Sequence, residues 1–178
     1  MATIPPSLTQ QQQQEVETLT HWYVEKASEQ LKQKIGRIPV LFDLTGRTAG
    51  MYRVKRNQRC IRYNPFIFAR YYKDSLQNTV PHEVAHYVVD HIYGRKSIKP
   101  HGRQWQSVMA LFNREPIVTG NYDLTGLPGR NYATFAYRCQ CKTHQLTSIR
   151  HNRILRGQTQ YACNRCGYYL KPITVPTD

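Results

Sequence analysis

The stretch "TVPHEVAHYVVDH", residues 79–91, holds three histidines and a glutamate within ten positions. On an α-helix, residues four apart share a face. His82 and His86 therefore project together, roughly 40° apart around the axis, and their imidazoles can converge on one ion. Glu83 lies roughly 100° from His82, so it flanks such an ion without ligating it. There it can take a proton from water, which is the chemistry of the His-Glu-x-x-His pattern. His91, five residues past His86, falls on nearly the opposite face and reads as structural or surface. Val84, Ala85, Val88 and Val89 place the segment in a core, where polar side chains need partners. The competing reading makes both histidines ordinary core residues satisfied by hydrogen bonds.

A hydrolytic zinc keeps three protein ligands and one open position. A metzincin pattern requires Gly three residues and His six residues after His86, where this chain has Val89 and Ile92. A gluzincin takes a Glu from a later helix, for which Glu115 is available. The better candidate is His101 in "KPHGRQW", at the junction of a loop and the next helix.

Working outward, Pro81 leaves two options: a helix that begins near Asn78 or Thr79, or a longer helix kinked at the proline. Asn64 and Pro65 form a helix-start signal. "HGRQWQSVMALFNRE" reads as a further helix burying Trp105, Val108, Met109 and Phe112. Upstream, residues 1–9 read as frayed. Val16, Leu19, Trp22, Tyr23, Ala27, Leu31 and Ile35 recur at helical spacing, with Gly36 as the stop. "IPVLFDL", "MYRV" and "RCIRYN" read as strands of a small antiparallel sheet, the last two joined by a polar turn at Arg56 to Gln58. "EPIVTGNYDLTGLPGRN" is a linker or an ordered excursion. Beyond it, "ATFAYRCQC", "HQLTSIRHN" and "QTQYACNRCGYYL" read as short strands.

The chain has 178 residues and a formal net charge of +14. That length suits one domain with a small appendage. No apolar run approaches a membrane span, and the start lacks a basic then apolar leader, so the expected location is cytoplasmic and not membrane-bound. From Leu124 to Thr177 there is no Asp or Glu, whereas Arg130, Arg138, Lys142, Arg150, Arg153, Arg156, Arg165 and Lys171 lie there. One-sided charge in an ordered segment favours nucleic acid as partner over simple solvation, with Arg150, Arg153, Arg156 and Arg165 as candidate contacts.

The same segment holds four of the five cysteines. Cys163-Asn-Arg-Cys166-Gly167 has zinc-knuckle spacing. Its counterpart is less regular: Cys139 and Cys141 together, or one of them with His144, complete the ligand set. The second metal would be structural, and the competing reading is a metal-free ribbon or a reactive thiol cluster.

"TVPHEVAHYVVDHIYGRKSIKPHGRQW" and the tail "YRCQCKTHQLTSIRHNRILRGQTQYACNRCGYYL" together resemble the SprT family of zinc metalloproteases, whose eukaryotic relative Spartan cleaves proteins crosslinked to DNA. The resemblance runs over most of the chain. It implies a minimal zincin core with His82, His86 and His101 on zinc and Glu83 as catalytic glutamate. The expectation is an α+β protein: a zincin-like peptidase domain over 8–120, a linker over 121–130 and a β zinc ribbon over 131–173. Zinc is the expected cofactor, one ion catalytic and a second structural. Proteins on DNA are the expected substrates. The alternative is a zinc-ribbon nucleic-acid-binding protein with an inert histidine site.

Overall fold

The computed structural model describes residues 6–94, 98–118, 120–129 and 133–173. It is a mixed α+β structure in two compact units, Met1–Gly129 and Arg130–Asp178.

The first unit opens with helix α1, Gln10–Gln30. Thr9 accepts from the Gln12 N–H while the Gln12 side chain accepts from the Thr9 N–H, a reciprocal cap that starts the helix at the glutamine run. Leu8 is not frayed: it is buried, and its N–H bonds to the Pro65 carbonyl. The helix stops at Gln30, short of Gly36, because Lys32 turns to a φ of +51°. Ile35 is buried from the following loop, while Trp22, expected on the core face, is half exposed.

Strands β1 (Val40–Leu41), β2 (Gly50–Lys55) and β3 (Gln58–Tyr63) form a sheet in the order β1-β3-β2. β2 and β3 are antiparallel, closed by Arg56 and Asn57 at φ of +47° and +65°, a two-residue turn that matches strand twist. β1 runs parallel to β3, so the sheet is mixed rather than antiparallel throughout. Strand direction depends on where the chain re-enters the sheet, and residue alternation carries no such information. β2 is left at the edge.

Asn64 ends β3 and starts α2, Pro65–Arg70. Its buried amide oxygen accepts from the N–H groups of Phe66 and Ile67, and its Nδ2 donates to the Gly46 carbonyl at 3.1 Å. Asn64→Ala removes a cap and orphans buried groups; it should lower unfolding stability by about 2 kcal/mol in urea titration.

The chain then stays helical through α3 (Tyr72–Asp74), a π turn over Ser75–Thr79, and α4 (Val80–Tyr93). Of the two options at Pro81, the structure takes the long helix. The Val80 N–H bonds back five residues to the Ser75 carbonyl. Pro81 has no N–H to give, and the widened turn before it makes room for its ring. α4 carries the core: Val80, Val84, Ala85, Val88 and Val89 are buried against Tyr23, Val24 and Ala27 of α1 and against Val108 and Met109 of α5, Arg103–Leu111. Residues 120–129 are an ordered excursion hydrogen-bonded into this unit. Arg70 donates to the Asp123 and Thr125 carbonyls, Tyr122 to Asp74, and the Gly46 N–H to the Pro128 carbonyl.

The second unit is small. β4 (Thr134–Arg138) pairs antiparallel with β5 (Thr143–Thr147) and with β6, Lys171–Pro172. "SIRHN" does not continue the strand. Ser148–Leu155 forms helix α6, which starts where the pairing of β5 with β4 ends at Thr147 and Thr134 and which leaves Ile149 and Leu155 exposed. The "QTQYACNRCGYYL" stretch makes only an isolated Ala162–Tyr169 bridge around the cysteine turn.

Candidate metal centres

The α4 spacing does what the helical wheel requires. His82 and His86 project from one face, and His101 meets them from the turn before α5. Its φ of +59° is a left-handed conformation that costs energy for a side chain with a Cβ and that aims the ring back at α4. The three Nε2 atoms stand in a nearly equilateral triangle: 3.2 Å for His86–His82, 3.1 Å for His86–His101 and 3.1 Å for His101–His82. Three nitrogen lone pairs aimed at one point cannot all be satisfied by one another. A tetrahedral zinc with Zn–N near 2.0–2.1 Å spaces its nitrogens at about 3.3 Å, so the triangle fits such an ion. Burial holds all three imidazoles neutral, the ligating form: His82 is pushed down to about 4 with help from His101, His86 to about 3 with help from His82 and His101, and His101 is lowered by burial alone. Glu115, the other candidate third ligand, is exposed and outside this group. His91 is exposed on the far side of α4.

Three contacts brace the triangle, and none is visible in the sequence pattern. His82 Nδ1 lies 3.2 Å from the Ile117 carbonyl, which fixes the tautomer with Nε2 free. Trp105 donates its indole N–H to the His82 carbonyl at 3.2 Å. Its buried ring packs against all three imidazoles, with centroids 4.8–5.8 Å away.

Glu83 is buried beside the triangle, and burial pushes its carboxyl up to about 7, against the pull of one hydrogen bond. That bond comes from the main-chain N–H of Tyr52 in β2, 2.6 Å from Oε2. β2 can come this close because residue 50 is glycine: a Cβ there would stand 2.7 Å from Glu83 Cγ, 2.7 Å from Thr79 Cγ2 and 2.9 Å from Glu83 Oε1. The lone signal in sequence is a glycine at the start of a strand, which also reads as a turn residue. Gly50→Ala should push Glu83 off the Tyr52 N–H and speed exchange of that amide about tenfold or more, with metal content unchanged, measured by amide hydrogen exchange beside metal analysis. A cavity of about 430 Å³ opens over the site, lined by Gly50, Tyr52, Glu83, Asp90, Ile98 and the three histidines among others.

In the second unit the Cys139, Cys141, Cys163 and Cys166 sulfurs all lie within 4.8 Å of one another, and none forms a disulfide. Cys139–Cys141 is 3.5 Å and Cys141–Cys163 3.7 Å, close to the roughly 3.8 Å edge of a tetrahedral zinc–thiolate centre. The arrangement fits four thiolate donors. His144, the alternative ligand, places Nε2 3.2 Å from Cys139 Sγ, as a hydrogen-bond partner of the thiolate outside the four-sulfur group. Burial opposes charge on Cys139, yet bonds from His144 and from main-chain N–H groups outweigh it and lower the thiol. Gly167, at φ +72°, closes the knuckle, and the Arg165 N–H points to Cys163 Sγ at 3.4 Å. Arg150, Arg153, Arg156 and Arg165 are all exposed on this unit. Arg150 stacks over Tyr161 at 5.4 Å, and Tyr168 and Tyr169 are exposed. Both histidine and cysteine groups are therefore candidate metal sites compatible with zinc. Among the described residues, no helix is long and apolar enough to cross a membrane.

Comparison with known proteins identifies the family of the chain. The SprT-like family matches residues 16–126. "Protein SprT" of Shewanella oneidensis is 37% identical over 160 residues, 89% of this chain and 97% of that protein. "Protein SprT" of Vibrio parahaemolyticus is 37% identical over 128 residues, 71% of this chain and 73% of that protein. "Protein SprT" of Klebsiella pneumoniae is 33% identical over 149 residues, 83% of this chain and 86% of that protein. No solved structure matches the chain. With its matched segment running from α1 through the metal-site helix and the excursion beyond it, the chain belongs to the SprT-like family.

Proposed function

We propose that this chain is a zinc-dependent metallopeptidase of the SprT type that acts on proteins held on DNA. The first unit is the peptidase domain and the second a zinc ribbon. The observation that carries the reading is the triangle of three Nε2 atoms, 3.1–3.2 Å apart, with the Glu83 carboxylate beside it in one cavity.

His82, His86 and His101 would hold the ion. When bound, zinc lowers the pKa of water and polarises a carbonyl. The chain's own residues do the rest. Glu83, fixed at Oε2 by the Tyr52 N–H, takes a proton from the attacking water and passes it to the departing amine nitrogen. Trp105 and Ile117 keep the His82 ring and tautomer in place. β2 is an edge strand, and Gly50, Met51 and Tyr52 line the cavity; with the Tyr52 N–H given to Glu83, an extended peptide would pair with the remaining outward main-chain groups of that edge.

The ribbon supports the DNA part. Four exposed arginines and two exposed tyrosines, in a stretch without acidic residues, suit phosphates and stacked bases. The test incubates the zinc-loaded chain with an unfolded protein, with and without single-stranded DNA, beside Glu83→Gln. Cleavage by the parent alone, inhibited by chelator and accelerated by DNA, is the expected result. DNA binding without cleavage would leave the inert-site alternative, and salt-insensitive or absent DNA binding would remove the nucleic-acid partner.

A further inference from the structure

Glu83 is not the only carboxylate that α4 turns towards β2. Asp90 lies seven residues on, two helical turns and roughly 10 Å along the same face. Its side chain is buried, 5% exposed, and lines the cavity that holds the three histidines. A carboxylate buried on a core helix is costly without partners, and a Val or Leu would pack there at no such cost. Asp90 Oδ2 has two partners, both from the sheet. Tyr52 donates its hydroxyl at 2.5 Å, and Arg59 of β3 donates Nε at 2.9 Å.

Tyr52 thus hydrogen-bonds to α4 twice, and its ring also packs 5.9 Å from that of Tyr87 on the same helix. The Tyr52 main-chain N–H holds Glu83, and the Tyr52 side chain holds Asp90. β2 has a strand neighbour on one side only, so its ladder with β3 alone does not fix its distance from α4. Arg59 stands beside Val54 across that ladder and ties the second strand to the same oxygen. We infer that Asp90 and Arg59 are positioning residues: they anchor Tyr52, and the anchored Tyr52 main chain sets the orientation of Glu83. The inference rests on Glu83 being the proton-transferring group of the proposed reaction. The grip itself is a property of the fold and has its own readout.

The experiment compares full-length, zinc-loaded parent, Tyr52→Phe, Asp90→Ala and Asp90→Asn by amide hydrogen exchange at residue 52 and by steady-state kinetics, with metal content measured for each. Tyr52→Phe keeps the main-chain donor and removes only the anchor. It should speed exchange of the residue-52 amide by about tenfold or more and lower kcat by about 10- to 100-fold, with KM within twofold and zinc unchanged. Asp90→Ala should do the same, and the double variant should be no worse than either single one. Asp90→Asn, which keeps an acceptor for Tyr52, should recover part of both effects. Parent-like exchange at residue 52 in Tyr52→Phe and Asp90→Ala overturns the grip, and parent-like kcat in folded, metal-loaded variants overturns its role in positioning. Should Asp90→Ala fail to fold, Tyr52→Phe decides alone. A parent that never cleaves sinks the peptidase reading instead, while the exchange measurement still decides whether the anchor holds β2 to Glu83.

Discussion

Glu83→Gln is expected to abolish peptide hydrolysis, by about 10²- to 10⁴-fold, while both candidate metals stay bound. The amide has nearly the volume of the carboxyl and can still accept the Tyr52 N–H, so β2 keeps its place against α4. What it lacks is a group that can take a proton. The substitution also removes a carboxyl that burial pushes up to about 7, so no loss of stability is expected from it. Metal analysis, thermal unfolding and a protease assay on one preparation check the three parts together. Full activity in this variant would remove Glu83 from the chemistry and leave the histidine triangle without its proton carrier.

The second large effect concerns the ribbon. Among the described residues of the second unit, the buried hydrophobic positions are Tyr137, Cys139, Leu146 and Cys163, and two of those four are cysteines. Such a core cannot offset the entropy of ordering the chain. A structural zinc can, with an apparent contribution of about 10–16 kcal/mol in small metal-dependent folds. Cys163→Ser should therefore take the metal count from two per chain to one and collapse the amide protection of β4 and β5. α1, α4 and α5 should stay protected, since their buried core of Val16, Val24, Val84, Val88, Trp105 and Met109 contains no metal ligand. Hydrogen exchange read residue by residue, beside metal analysis, is the measurement. A ribbon that keeps its protection after Cys163→Ser would show that its fold stands without the ion.

Much of the histidine site was legible because it is local. The four-residue spacing of His82 and His86 fixes their common face by helix geometry alone. The "PHG" motif marked His101 at a loop-to-helix junction, a better place for a third ligand than that of Glu115. The knuckle Cys163–Cys166 was legible for the same reason. Spacing named His144 only as an alternative ligand; its place beside Cys139 but outside the four sulfurs follows from the pairing of Tyr137 with His144 across two strands. The strand expected over "HQLTSIRHN" ends at Thr147 and gives way to α6, because the pairing with β4 that would extend it stops at Thr134.

The sequence by itself determined which side chains make up the candidate sites, since residue type and helical period are written in the chain at short range. Tertiary structure alone decided how they are held. The parallel β1–β3 pairing left β2 at an edge, Gly50 let that edge reach Glu83, and the Ile117 carbonyl arrived from 35 residues away to fix His82. These are main-chain contacts between distant segments. A peptide N–H or carbonyl is the same in every residue but proline, so no pattern of side chains announces where it will be used.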